Sequence, residues 1–156
     1  MNKAFVKEDD LNEDVRFQEQ LGDAPRYVTP EGYARLEREA AELAASHRTP
    51  AMEQRFRFVG LLLRKLTIVP PRQGEARVVF GAWITVEDEE GTETTYRIVG
   101  PDEVDASRHW VSVDSPVARA LLGKTAGAGG LLRTPRKGDL NFVISRVAWN
   151  PDDPLT

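Results

Sequence analysis

Ser115 lies beside Asp114 and six residues after His109, so a hydrolytic trio of serine, carboxylate and imidazole is the first chemistry to weigh. A triad requires the base to reach the nucleophile. Ser115 instead precedes Pro116 at the head of an apolar run, where its hydroxyl oxygen is expected to accept from the open amides of a new helix. Gly123-Lys124-Thr125 has the ending of a phosphate-binding loop, but the glycine that motif needs five positions earlier is Ala118, inside the expected helix. Glu87 to Glu90 could offer oxygens to a divalent cation, yet before Gly91 they read as a solvated hairpin turn. His47 and His109 are single histidines without ligand spacing, and there is no cysteine. Disulfides, thiolate nucleophiles and cysteine-bound zinc are therefore excluded. No catalytic residue, metal or cofactor is expected. What remains is a binding corner: Ser112, Asp114, Ser115 and Pro116, on a rigid turn from strand to helix.

The elements that hold this corner can be read on both sides. Val111 and Val113 alternate with polar neighbours as a short strand. Val117, Ala118, Leu121 and Leu122 give the helix an apolar side, and Gly123 ends it. Upstream, Val78, Val79, Phe80, Trp83, Ile84 and Val86 predict a strand over 77–86, and 93–99 a second, with Thr95, Arg97 and Val99 opposite Thr94, Tyr96 and Ile98. Segments 131–134 and 140–149 form a last hairpin. The expected product is an α+β domain, a mostly antiparallel sheet curled around one short helix.

Earlier still, Thr29-Pro30 and Thr49-Pro50 are two helix starts. Tyr33, Leu36, Ala40 and Leu43 make one apolar seam; Met52, Phe56, Val59, Leu62, Leu63 and Leu66 make another. The short connection Ser46-His47-Arg48-Thr49 forces an antiparallel hairpin. The domain reading is an acidic arm at 1–28, a hairpin at 29–69, a linker at 70–75, the sheet domain at 76–150 and a tail at 151–156. The arm carries Glu8, Asp9, Asp10, Glu13, Asp14, Glu19 and Asp23. It is either solvated and partly disordered, or docked through Phe5, Val6, Leu11, Val15 and Phe17.

A formal net charge of −4 over 156 residues argues against direct binding to duplex nucleic acid. No run is long and apolar enough to span a bilayer, and the start lacks an apolar leader, so a cytoplasmic protein is expected. Arg35, Arg38, Arg48, Arg55, Arg57, Arg64 and Lys65 make the hairpin locally basic.

With these residues in view, the C-terminal half resembles the second domain of the bacterial Gre transcript-cleavage factors, particularly the GreB branch. The residues that carry it are Val79-Phe80-Gly81-Ala82-Trp83, Tyr96-Arg97-Ile98-Val99-Gly100-Pro101-Asp102-Glu103, and Val111 through Lys124. Tyr27 to Leu36 and Phe56 to Val69 are similar to the ends of that family's coiled coil. The resemblance implies an FKBP-like fold and a partner, RNA polymerase, touched by Ser112, Asp114, Ser115 and Pro116 at the rim of its secondary channel. Nucleic acid would be met only through the polymerase. Gre factors reach the channel with a long coiled coil whose acidic tip helps hold a catalytic magnesium ion.

Here the hairpin is much shorter, its tip (Ser46, His47, Arg48, Thr49) is neutral to basic, and Glu53 stands alone beyond it. The architecture is similar to the short-hairpin relative, the nucleoside diphosphate kinase regulator Rnk. The expectation is a non-enzymatic regulator of elongation without cleavage stimulation. In an alternative reading the acidic residues from Glu8 to Asp14 replace the lost tip. A further alternative is peptidyl-prolyl isomerisation, for which Phe80, Trp83, Tyr96 and Phe142 would have to line an open pocket; they read more simply as core.

Overall fold

A computed structural model describes residues 8–134 and 138–149. The chain divides into two units, at 1–67 and 68–156.

The first unit contains helix α1 (Glu8–Leu21), strand β1 (Arg26–Val28), helices α2 (Pro30–Ala45) and α3 (Pro50–Lys65), and all but the last residue of strand β2 (Leu66–Ile68), which pairs with β1. Both hairpin helices begin as the sequence predicts. Thr29 Oγ1 accepts from Gly32 N at 3.1 Å and Thr49 Oγ1 from Met52 N at 3.3 Å, each with proline in the first turn. Sixteen residues in each helix give arms of about 24 Å at roughly 1.5 Å per residue. Leu36, Val59 and Leu62 are buried between them, joined by Leu21 from α1. Burial of a leucine of this kind contributes about 2–3 kcal/mol.

The acidic segment is not a loose arm where it is described. Glu8–Leu21 is helical and lies on α3, with the Phe17 ring edge-on to Phe58 at 5.4 Å. Gly22, at φ +68°, ends this helix, and its carbonyl accepts from Lys65 Nζ at 2.7 Å. Of the proposed docking residues Phe17 docks, Leu11 and Val15 face solvent, and Phe5 and Val6 lie outside the described residues.

The second unit is a five-stranded sheet in the order β5-β4-β3-β7-β6: β3 (Trp83–Asp88), β4 (Glu93–Val99), β5 (Trp110–Ser112), β6 (Gly129–Thr134) and β7 (Gly138–Ala148). All pairs are antiparallel except β4 with β5. A six-residue helix, α4 (Pro116–Leu121), packs Ala118 and Leu121 against Ile84, Ile98 and Ile144 on one face. The fold is the expected α+β arrangement.

The first strand starts later than its β-branched run predicts. Gly81 turns at φ +88° with its N–H bonded to Ile98 O, and Val78 donates to Lys124 O instead of joining the ladder. Val78 is fully buried, so its apolar character reflects loop packing and not a strand face. The last hairpin begins two residues before the expected 131–134 segment, with Gly129 and Gly130 opening β6 opposite Val143 and Phe142. An added Cβ at Gly130 would meet the Phe142 ring at 2.7 Å, so glycine here leaves room for that ring to lie across β6.

Candidate functional site

The corner is fixed from both ends. On the strand side Arg97, Ile98 and Val99 pair with Trp110, Val111 and Ser112, and Val113 N donates to Val99 O at 2.8 Å. Ser112 Oγ accepts from Asp114 N at 3.2 Å and Ser112 O from Ser115 N at 2.9 Å, closing the turn. On the helix side Ser115 Oγ accepts from Ala118 N at 3.2 Å. Asp114 and Pro116 are exposed while Ser112 and Ser115 are half-buried. The four residues thus form one contiguous surface feature whose backbone is hydrogen-bonded on each side. Ser115 is engaged as a cap, and His109 lies against Tyr96, ring centroids 5.7 Å apart, so no triad forms.

Beneath the corner lies a feature that sequence reasoning missed. Arg97 is almost fully buried, its guanidinium 4.9 Å from the ring centroid of Trp83 and 4.9 Å from that of Trp110. The two indoles meet edge to face at 5.9 Å. Arg97 also donates to Gly81 O, and a buried carboxylate, Glu103, accepts from Gly100 N at 2.8 Å. This stack anchors the first residue of β5 and so sets where the corner sits. The available signal was the alternation of Trp83, Arg97 and Trp110 on neighbouring strands, which only the parallel pairing of β4 with β5 reveals. The preceding turn is held by Asp105, whose carboxylate caps a 3-10 turn at Ala106–Arg108; the Ser107 hydroxyl holds its carboxyl below the usual range.

At the hairpin tip Arg48 closes the end of α2, donating to Leu43 O at 3.0 Å and Ala44 O at 3.3 Å, and lies over the Phe56 ring at 4.6 Å. It also pairs with Glu53, whose other oxygen is 3.7 Å from Arg57. The tip's nearest carboxylate is therefore held by two arginines. His47 and Thr49 are exposed, and Ser46 turns back to Glu42 O.

The acidic helix approaches this tip from the side. Glu13 bonds Gln54, Phe17 meets Phe58 and Gly22 meets Lys65, so residue numbers rise together and α1 runs parallel to α3. Glu8 is five residues, about 7.5 Å, further toward the tip than Glu13, which brings it level with the start of α3. Glu8 and Asp9 are exposed there, and Asp10 pairs with Arg57 at 2.7 Å. Among the described residues no three His, Asp or Glu side chains converge on a point that could hold a metal ion.

Of the aromatic residues read as core, Phe142 is buried and Phe80, Trp83 and Tyr96 are half-buried. Tyr96 and Phe142 border an open cavity of about 510 Å³ on the face that also carries α4. No described helix is long and apolar enough to cross a membrane.

The family model described as transcription elongation factor, GreA/GreB, C-term, matches residues 73–148, which include the corner and its buried stack. The chain is 48% identical over 94 residues to the transcription elongation factor GreB of Pseudomonas aeruginosa, and the match covers 60% of this chain and 56% of that one. It is 40% identical over 110 residues to GreB of Haemophilus influenzae, covering 69% and 68%. A prokaryotic transcription elongation factor GreA/GreB from Nitrosomonas europaea superposes with a TM-score of 0.43 at 23% identity, covering 81% of this chain and 99% of that one. These relatives correct one expectation. The expectation of a non-enzymatic protein does not stand, because the similarity runs to proteins named GreB, the branch that the sequence resemblance ties to stimulated RNA hydrolysis. The chain spans 56% of the Pseudomonas aeruginosa relative's length and 68% of the Haemophilus influenzae one's, and on the second match it belongs to the GreA/GreB family of transcription elongation factors.

Proposed function

We propose that this chain docks at the rim of the secondary channel of RNA polymerase through Ser112, Asp114, Ser115 and Pro116, presents its short hairpin to the channel, and modulates elongation in the cytoplasm. The observation that supports this most directly is the corner itself. Exposed Asp114 and Pro116 sit between a strand-paired backbone and a serine cap, so the surface is ordered before any partner arrives and little entropy is lost on contact. The test is retention of core polymerase on the immobilised full chain, with competition by an authentic GreB. Asp114→Ala is expected to lower retention at least tenfold without moving the circular dichroism spectrum. Undiminished retention by that variant, or no retention by the parent chain, would sink the assignment.

The direction of α1 favours a second element of this reading. Glu53 is occupied by Arg48 and Arg57, whereas Glu8 and Asp9 are exposed at the same end of the hairpin. Carboxylates offered to a magnesium ion there would come from α1, which supplies the hard oxygens that such an ion takes. Addition of the chain to backtracked elongation complexes is expected to shorten their RNA. The Glu8→Gln, Asp9→Asn double variant should lose at least tenfold in that rate while still competing with GreB. Full cleavage by the double variant removes α1 from the account.

A further inference from the structure

Helix α1 is held on α3 by polar ties more than by apolar packing. Of its 14 residues only Leu21, in the last turn, is buried. Ahead of Leu21 stand the Phe17–Phe58 ring pair, the Glu13–Gln54 hydrogen bond at 2.8 Å and the Asp10–Arg57 ion pair at 2.7 Å. Beside these ties the seam stays open, as a depression of about 310 Å³ with Phe17 and Gln20 on one side and Ala51, Gln54 and Phe58 on the other. Leu11 and Val15, the remaining apolar side chains of α1, are 56% and 51% exposed and take no part in the seam.

Nor is this helix strong by itself. It carries six carboxylates and one arginine, and Asp9–Glu13 and Asp10–Asp14 set like charges one turn apart. A helix of this length is marginal in water even without such repulsion. Its order therefore comes from α3, where Arg57 meets Asp10 and feels the charges of Asp14 and Glu53. Gln54, Arg57, Phe58 and Leu61 recur at spacings of three and four, so α3 has a second face that joins an amide, a cation, a ring and an aliphatic group. Gly22, at φ +68° and followed by Asp23, Ala24 and Pro25, is a pivot at the anchored end of α1.

We propose that this second face of α3 is an exchangeable docking site for acidic amphipathic helices, with α1 as its resident occupant. An acidic helix of a partner protein displaces the turns ahead of Leu21, setting a carboxylate against Arg57 and an apolar side chain against Phe58. The resident helix itself displays the chemistry that the face accepts. Displacement carries Glu8 and Asp9 away from the hairpin tip, so such a partner regulates whatever that end does. The binding depends neither on the polymerase corner nor on a role for those two carboxylates, and its test contains no polymerase.

The probe is a fluorescent, end-blocked peptide with the sequence of residues 8–20, titrated by anisotropy into the full chain. Its controls are a scrambled peptide of the same composition and a uridine oligonucleotide of the same length. Asp10→Lys, which turns the resident ion pair into a repulsion at a surface position, should bind the peptide at least tenfold more tightly than the parent chain does. That binding should weaken several-fold between about 50 and about 300 mM salt as the screening length shortens. Adding Arg57→Ala to Asp10→Lys should cost at least tenfold, and adding Arg57→Lys should cost less. The chain has no native cysteine, so Glu13→Cys with Gln54→Cys can be joined by a short bis-maleimide that pins α1 in place. The joined protein should bind at least tenfold more weakly than the same protein before joining. No binding by the Asp10→Lys chain, equal binding of the scrambled peptide, or equal binding by joined and unjoined protein would each overturn the proposal. Tighter binding of the oligonucleotide than of the peptide would assign the face to nucleic acid, and a stable dimer of the Asp10→Lys chain would assign it to a second copy; either result also overturns it.

Discussion

Ser115 performs a local task that a titration can isolate. Replacing it with alanine removes the acceptor of the Ala118 amide and is expected to cost about 1 kcal/mol, read as a lower urea midpoint at constant slope. Arg97 carries more. Its two indole contacts are shielded from water, where each such contact is worth about 2 kcal/mol, and deletion also leaves a void between the rings. Arg97→Ala should therefore cost about 3 kcal/mol or more and change the emission of Trp83 and Trp110; Arg97→Lys should not restore the parent spectrum, because an ammonium cannot stack as a guanidinium does. The serine's role was legible in the sequence, since Ser-Pro before an apolar run names a cap without reference to anything distant. The arginine's was not. A buried cation depends on which strands become neighbours, and a segment of ten residues separates β4 from β5.

At the scale of elements the hairpin was legible and its third helix was not. Two Thr-Pro starts and two apolar seams specify α2 and α3, while α1 shows few apolar residues and much acid. Only its pairing with α3 decides its state. Phe17→Ala is expected to cost about 2 kcal/mol of hairpin stability, whereas Leu11→Ser or Val15→Ser, at exposed positions, should stay within about 0.5 kcal/mol by thermal denaturation. Between α2 and α3, Arg55 bonds both oxygens of Glu39 at 2.6 and 3.0 Å and lowers that carboxyl below its ordinary value. A depressed carboxyl stabilises the fold above its unfolded-state value and loses that contribution as pH falls through the folded-state one. Acid titration of the parent chain against Glu39→Gln should therefore converge only once the pH has fallen below the ordinary glutamate range.

For the whole molecule, each unit encloses its own apolar cluster, and residues 70–74, near the start of the second unit, are exposed. Limited trypsin treatment is expected to cut early after Arg72 and leave two fragments that resist further digestion, a result read by mass spectrometry. Early cutting inside α2 or β4 would contradict that division. The sequence placed the linker at 70–75, whereas the two units divide between Thr67 and Ile68, ahead of the Pro-Pro-Arg-Gln-Gly stretch.

The middle position of β3 also bears on synthesis. One of its neighbours, β4, follows after a tight turn, but the other, β7, begins about fifty residues later. While the ribosome is still delivering that stretch, one side of β3 offers unmet amides and carbonyls to any passing strand. The nascent chain is thus at its most vulnerable to clumping immediately before β7 is delivered, and slow translation across β6 would prolong that interval.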